Sequence, residues 1–201
     1  MADPSDTNHD DSGYTYVTVP EYGAGVTVSG TAVSWNDKDN AEYYLYPTTM
    51  SDADIRAQWK KGGAVTGYTY TGTGGTISDV TVDGKAMKSQ SFSFSTVPAG
   101  DYKLVIFKAE KYVPKIVEIT VGSTALDLGQ LKLWLYGDVN YDGAVKTIDI
   151  TMARQYFKGN LTLTDEQIAV MDMNGDGAIK VIDITILRQY FKGNISEIPI
   201  T

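Results

Sequence analysis

The chain has 201 residues, room for one large domain or two small ones, and with 42% hydrophobic and 11% aromatic residues it has ample material for packed cores. Its net charge of −8 argues against a nucleic-acid partner, whose phosphates require clustered Lys and Arg. With no cysteine and one histidine, His9, in a polar tail, the sequence excludes disulfides, thiol nucleophiles, Cys- or His-ligated metals and Ser-His or Cys-His catalysis.

Residues 1–13, "MADPSDTNHDDSG", are Asp-rich and read as a disordered linker or tag; no charged segment followed by an apolar core suggests a signal peptide. No apolar run approaches the ~18 residues of a membrane span. Residues 14–135 read as β-structure. "YTYVTV", "GVTVSG", "TAVSW", "EYYLYP", "GYTYTG", "SFSFST", "DYKLVIF" and "KIVEITV" are short runs of Val, Thr, Tyr and Ile between Gly, Asn and Asp turns. Phe92 and Phe94 alternate with Ser, as do Tyr102, Leu104 and Ile106 with their neighbours, the period of a half-buried strand. Such spacing predicts an all-β sandwich. One helix is expected at "SDADIRAQWKK", with Ser51 as N-cap and Lys60 and Lys61 at its far end.

From residue 137 the pattern changes. Residues 137–160 fall on residues 171–194 at an offset of 34 with 17 identities in 24 positions, a duplication. "TLTDEQIAVM" carries Thr164 and Gln167 at capping-box spacing, so a short helix leads into the second copy. The first copy instead follows the strand-like "LKLWLY". Each copy opens with oxygen side chains at loop positions 1, 3 and 5, glycine at 6 and aspartate at 12. These are Asp138, Asn140, Asp142, Gly143 and Asp149, then Asp172, Asn174, Asp176, Gly177 and Asp183. This is the spacing of an EF-hand calcium loop, with Asp in place of Glu at the end. Ca²⁺ takes six to eight oxygens, alternate residues of a tight loop turn inward, and the position-7 carbonyl of Ala144 or Ala178 adds a ligand. The expected cofactor is two calcium ions. Lys146 and Lys180 at position 9 cannot ligate, which predicts water or nothing there and a lower affinity.

Two D-x-N-x-D-G-x-x-x-x-x-D loops, each followed by a helix and the first lacking an entering helix, resemble a dockerin. Dockerins are calcium-dependent modules that anchor proteins to cohesins. The resemblance covers about residues 137–195. The preceding "VSGTAVSW" and "VPAGDYKLVIFKAEKYVPKIVEITV" resemble the X-module or carboxypeptidase-regulatory-like sandwiches found before dockerins. The implied organisation is a linker at 1–13, an Ig-like or CnaB-like sandwich at 14–135, and a small all-α dockerin with two EF-hand-like loops at 136–201. The implied role is non-catalytic: binding a cohesin of a scaffoldin and anchoring a parent protein in an extracellular or cell-surface bacterial complex of cellulosome or amylosome type, with no membrane or nucleic-acid partner and a monomer on its own.

Helical periodicity sets Ile150, Ala153 and Phe157, and Ile184, Leu187 and Phe191, on the stripe that packs the repeats together. Ile148 with Met152, and Ile182 with Ile186, fall on the opposite side, and a duplicated apolar pair there favours an interface. The resemblance extends the partner face to Thr147, Thr151, Arg154 and Gln155, and to Val181, Thr185, Arg188 and Gln189. Such internal symmetry permits two binding orientations, whereas a sandwich touching the partner would select one. The rival reading makes the sandwich a carbohydrate-binding module, using some of Trp35, Trp59, Trp134 and the 14 tyrosines as stacking platforms. A last expectation packs Trp134 and Tyr136 near the tail "ISEIPIT" as a terminal clasp.

Overall fold

The computed structural model describes residues 25–36, 38–58, 64–109 and 111–196. The expected linker at 1–13, the strand "YTYVTV", Trp59, Lys60, Lys61 and most of the tail lie outside these residues. Among the described residues eight strands come first: β1 Val26–Ser34, β2 Glu42–Pro47, β3 Tyr70–Thr71, β4 Thr73–Val82, β5 Lys85–Val97, β6 Gly100–Phe107, β7 Lys115–Val121 and β8 Leu126–Lys132. A helix, α1 Asp52–Gln58, is inserted after β2, and α2 Thr147–Phe157, α3 Asp165–Met171 and α4 Val181–Phe191 follow the last strand.

The strands form two four-stranded sheets, ordered β4-β5-β1-β8 and β3-β2-β6-β7, and the first is antiparallel except for the parallel pair β1–β8. Between them lies one apolar core in which Val28, Phe92 and Phe94 of the first sheet meet Tyr43, Leu45, Leu104 and Ile106 of the second. The alternating phenylalanines and the Leu104/Ile106 face thus point inward as their period demands. Gln90, 5% exposed, is tolerated in this core because its amide is fully used. It donates to Gly75 and Asn40 oxygens at 2.8 and 3.0 Å and accepts from the Ala41 amide and the Tyr43 hydroxyl. Helix α1 covers the outer face of the second sheet, seating Ile55 against Tyr46, Val105 and Phe107. Its cap is as expected: Ser51 Oγ accepts the Asp54 amide at 3.1 Å.

Two strand expectations differ from the structure. "GVTVSG" and "TAVSW" form one continuous strand, β1, because Gly30 sits within the ladder instead of ending it. Strand β4, "TGGTISDVTV", was hidden by its glycines and polar residues, and most of it is exposed. It is paired through the hairpin at Asp83 and Gly84, both with positive φ (51° and 73°), as a tight two-residue turn requires. No helix among the described residues is long and apolar enough to cross a membrane.

Candidate calcium loops and helix face

The second core is helical. Val139, Ile150, Ala153, Leu163, Val170, Met171, Met173, Ile186 and Leu187 are buried together, joined by Val113 and Tyr136 from the approach to the helices. Thr164 and Gln167 form the expected capping box at the start of α3, where the Gln167 amide donates to Thr164 Oγ1 at 3.3 Å and Gln167 Oε1 accepts the Thr164 amide at 3.0 Å.

Each exit helix is preceded by a loop, and the two loops are built alike. In the first, Asp138 accepts the Asp142 and Gly143 amides at 2.9 and 2.8 Å. Asp149, in the first turn of α2, accepts the Val139 amide at 2.8 Å and the Lys146 amide at 2.7 Å. In the second, Asp172 accepts the Asp176 and Gly177 amides at 3.1 and 2.8 Å, and Asp183 accepts the Met173 and Lys180 amides at 3.0 and 2.7 Å. The position-3 residues Asn140 and Asn174 each accept the position-5 amide at 3.2 Å. Both turns depend on glycine at position 6, where φ is +88° at Gly143 and +80° at Gly177.

Electrostatically the loops are expensive. Asp138, Asp149 and Asp183 are 0%, 0% and 1% exposed, and Asp172 is 9% exposed. Burial pushes the Asp138, Asp149 and Asp172 carboxyls above the ordinary carboxylate range, against the pull of their amide donors, and neighbouring aspartates add to the rise. At the exposed rim the balance reverses. Asp142 Oδ2 pairs with Lys146 Nζ at 3.0 Å and Asp176 Oδ2 with Lys180 Nζ at 2.7 Å. At Asp142 burial works upward but is outweighed by the Lys146 and Asn140 bonds; at Asp176 the Lys180 bond leads, and both carboxyls fall below the usual range. The position-9 lysines therefore lie against the loops as counter-charges, a role their spacing did not disclose. Among the described residues, no three acidic or histidine side chains are gathered tightly enough to hold a metal by themselves. The donor set of each loop is mixed: three carboxylates, one amide oxygen and the position-7 carbonyl. All are hard oxygens, and buried carboxylates that repel one another gain most from a hard cation, so the residues fit calcium.

The helix face differs in part from expectation. Thr147, Ile148, Thr151, Arg154 and Gln155 are exposed on α2, and so are Val181, Ile182, Thr185 and Arg188 on α4, with Gln189 half-buried. Ile186, expected on the partner face, is only 6% exposed and belongs to the core, and Met152 is half-buried against it. Phe157 and Phe191, expected in the packing stripe, are 40% and 47% exposed. The cause is one of geometry: the buried arc is turned toward Met152 and Ile186, and the phenylalanines are the last residues of their helices. Ile148, Val181 and Ile182 stay exposed at 46%, 70% and 47%.

How the sandwich meets these loops is visible only in the fold. The Val113 amide donates to the Trp134 carbonyl and the Tyr136 amide to the Lys111 carbonyl, both at 2.8 Å. Lys115 pairs with Glu166 of α3, and Lys111 Nζ donates to the Tyr190 hydroxyl of α4 at 2.7 Å. Trp35 and Trp134, two of the candidate sugar platforms, pack on Tyr141 of the first loop, with ring centroids 5.2 and 4.2 Å away.

Residues 136–192 match the family model of the dockerin type I domain. Among solved structures, a chain of the Coh-OlpC-Doc435 complex, a type I cohesin–dockerin complex from Clostridium thermocellum, is 34% identical, covering 33% of this chain and 97% of that one with a TM-score of 0.31. A chain from the complex of the third ScaC cohesin with the ScaB dockerin of Acetivibrio cellulolyticus is 32% identical, covering 33% and 94% respectively, also with a TM-score of 0.31. No curated protein matches the chain. A β-sandwich is thus followed by a dockerin type I domain, which spans residues 136–192.

Proposed function

We propose that this chain is a calcium-dependent docking module that binds a cohesin and so anchors a parent protein in an extracellular bacterial assembly. The match of residues 136–192 to the dockerin type I domain carries the reading. It is supported by two equivalent helix faces that leave isoleucine in solvent, an arrangement a solitary module gains nothing from. The partner face we assign is Thr147, Ile148, Thr151, Arg154 and Gln155 with Val181, Ile182, Thr185, Arg188 and Gln189.

We assign calcium to Asp138, Asn140, Asp142, the Ala144 carbonyl and Asp149 in the first loop, and to Asp172, Asn174, Asp176, the Ala178 carbonyl and Asp183 in the second. Bound Ca²⁺ supplies positive charge that cancels the repulsion within each loop. The residues then explain the coupling to docking. Asp149 and Asp183 belong both to a loop and to the first turn of α2 or α4. Closing the loop therefore fixes the start of the helix that presents Ile148 or Ile182. The test is capture of the chain by an immobilised panel of cohesins, in calcium and in EDTA. Capture by at least one cohesin in calcium, lost in EDTA, is expected; capture by none, or capture indifferent to EDTA, refutes the reading.

A further inference from the structure

The two loops are near-copies, yet among the described residues only the first is gripped by the sandwich, and the grip centres on one residue. Tyr141, at loop position 4, is 8% exposed and packs with Val33, Val82 and Met87 on the outer face of the first sheet. Trp35 and Trp134 flank its ring. Lys85, at the start of β5, donates from Nζ to the Tyr141 carbonyl, with its ammonium 5.4 Å from the Trp35 ring centre. The backbone of Tyr141 is left-handed, φ +55°, a region that costs a residue carrying a Cβ. At the same place in the second loop stands Gly175, exposed, with φ +70°, where the conformation is free. The asymmetry repeats two residues on. A Cβ on Gly143 would come within 2.9 Å of the Trp35 ring, whereas one on Gly177 would meet nothing within 4 Å. A strained tyrosine in place of a permitted glycine persists only where its surroundings over-determine it. Here those surroundings belong to the sandwich.

We propose that Tyr141 is a positioning residue through which the sandwich holds the first loop in its cation-binding shape, so that the first loop's calcium affinity depends on the sandwich and the second loop's does not. The inference rests on the calcium reading above and extends it. Tyr141 lies between Asn140 and Asp142, two of the assigned donors, so fixing its backbone fixes both neighbours. The first loop has that ordering in place before the ion arrives, whereas the second, turning on Gly175, meets its cost on binding. The first loop consequently fills at the lower calcium concentration.

The test is calorimetric titration of Ca²⁺ into the full chain in two backgrounds, Asp176→Asn to report the first loop and Asp142→Asn to report the second. Tyr141→Gly is expected to weaken the first loop at least tenfold and to leave the second within twofold. Lys85→Met, which removes only the reach to the Tyr141 carbonyl, is expected to shift the first loop the same way by a smaller factor. Equal weakening of both loops, or an unchanged first loop, overturns the proposal and leaves the calcium reading standing. If circular dichroism shows Tyr141→Gly to be misfolded, Lys85→Met decides on the same terms. A chain that takes up no calcium in either background overturns the calcium reading, and this inference with it.

Discussion

Chelating calcium is expected to melt helices α2–α4 and to leave the sandwich folded, with the Tyr141 turn of the first loop still seated on it. Each loop buries carboxylates that burial and mutual repulsion push toward the neutral form. With free calcium a thousandfold above Kd, each ion adds about 4 kcal/mol of stability, so two contribute about 8. A module of about 60 residues has a total margin of roughly 3–9 kcal/mol. Its core, centred on Val139, Ala153, Val170, Met173 and Leu187, is small, so losing that contribution removes most or all of the margin. The sandwich core of Val28, Phe94, Leu45, Leu104 and Ile106 includes no proposed ligand. Far-ultraviolet circular dichroism in EDTA should therefore show the 222 nm signal of α2–α4 lost at ambient temperature and one remaining sheet transition on heating. In millimolar calcium the helical transition should return. A helical signal and melting profile unchanged by EDTA would overturn this expectation, since the buried aspartates would then be held by the protein alone.

Gly143→Ala and Gly177→Ala both place a Cβ at positive φ, at about 1–2 kcal/mol each, but only Gly143→Ala also drives it into Trp35, so its melting temperature in saturating calcium should fall further. Leu187→Ala, at a site 1% exposed, should cost about 2–5 kcal/mol by denaturant unfolding, while Thr185→Ala on the exposed side should stay within about 0.5. Burial pushes the Tyr136 phenol from 10.0 up to about 12. The folded state thus keeps a proton that the unfolded chain releases: the stability is whole below pH 10 and drains as pH rises from there toward 12. Tyr136→Phe should lose less stability than the parent over that window in alkaline titrations at fixed calcium.

The two Asp-rich loops were legible because their pattern is local. Residue type at fixed spacing specifies Asp138 through Asp149, and the 34-residue repeat states it twice. Strands that bury one face, such as Phe92–Phe94 and Leu104–Ile106, were legible for the same reason. Strand β4 was not, because an exposed, glycine-containing strand is held by its ladder to β5 and has no face to bury. The edges of the helix face also escaped. Periodicity gives the direction of a stripe, but the neighbouring elements decide how wide it is and where it ends, and so Ile186 is buried while Phe157 and Phe191 are exposed. The junction at Tyr141 is the plainest case. Trp35, Lys85 and Trp134 are far from it in sequence or outside the loop, and the only local signal was a tyrosine in one copy where the other has glycine. That mismatch would have been readable as a question about position 4, though not as an answer.

In the proposed function, calcium-ordered α2 and α4 present the surface a cohesin binds. Its most direct test is calorimetric titration of a cohesin that the chain captures, against the parent chain in calcium and against the double variant Ile148→Asp with Ile182→Asp, checked to keep its helical signal. Both isoleucines are half-exposed, so the substitutions should fold, while a desolvated anchor in the interface is worth upwards of about 2 kcal/mol. The parent is expected to bind in calcium and the folded double variant to show no measurable heat. A double variant that binds as tightly as the parent would rule out this helix face as the cohesin-binding surface.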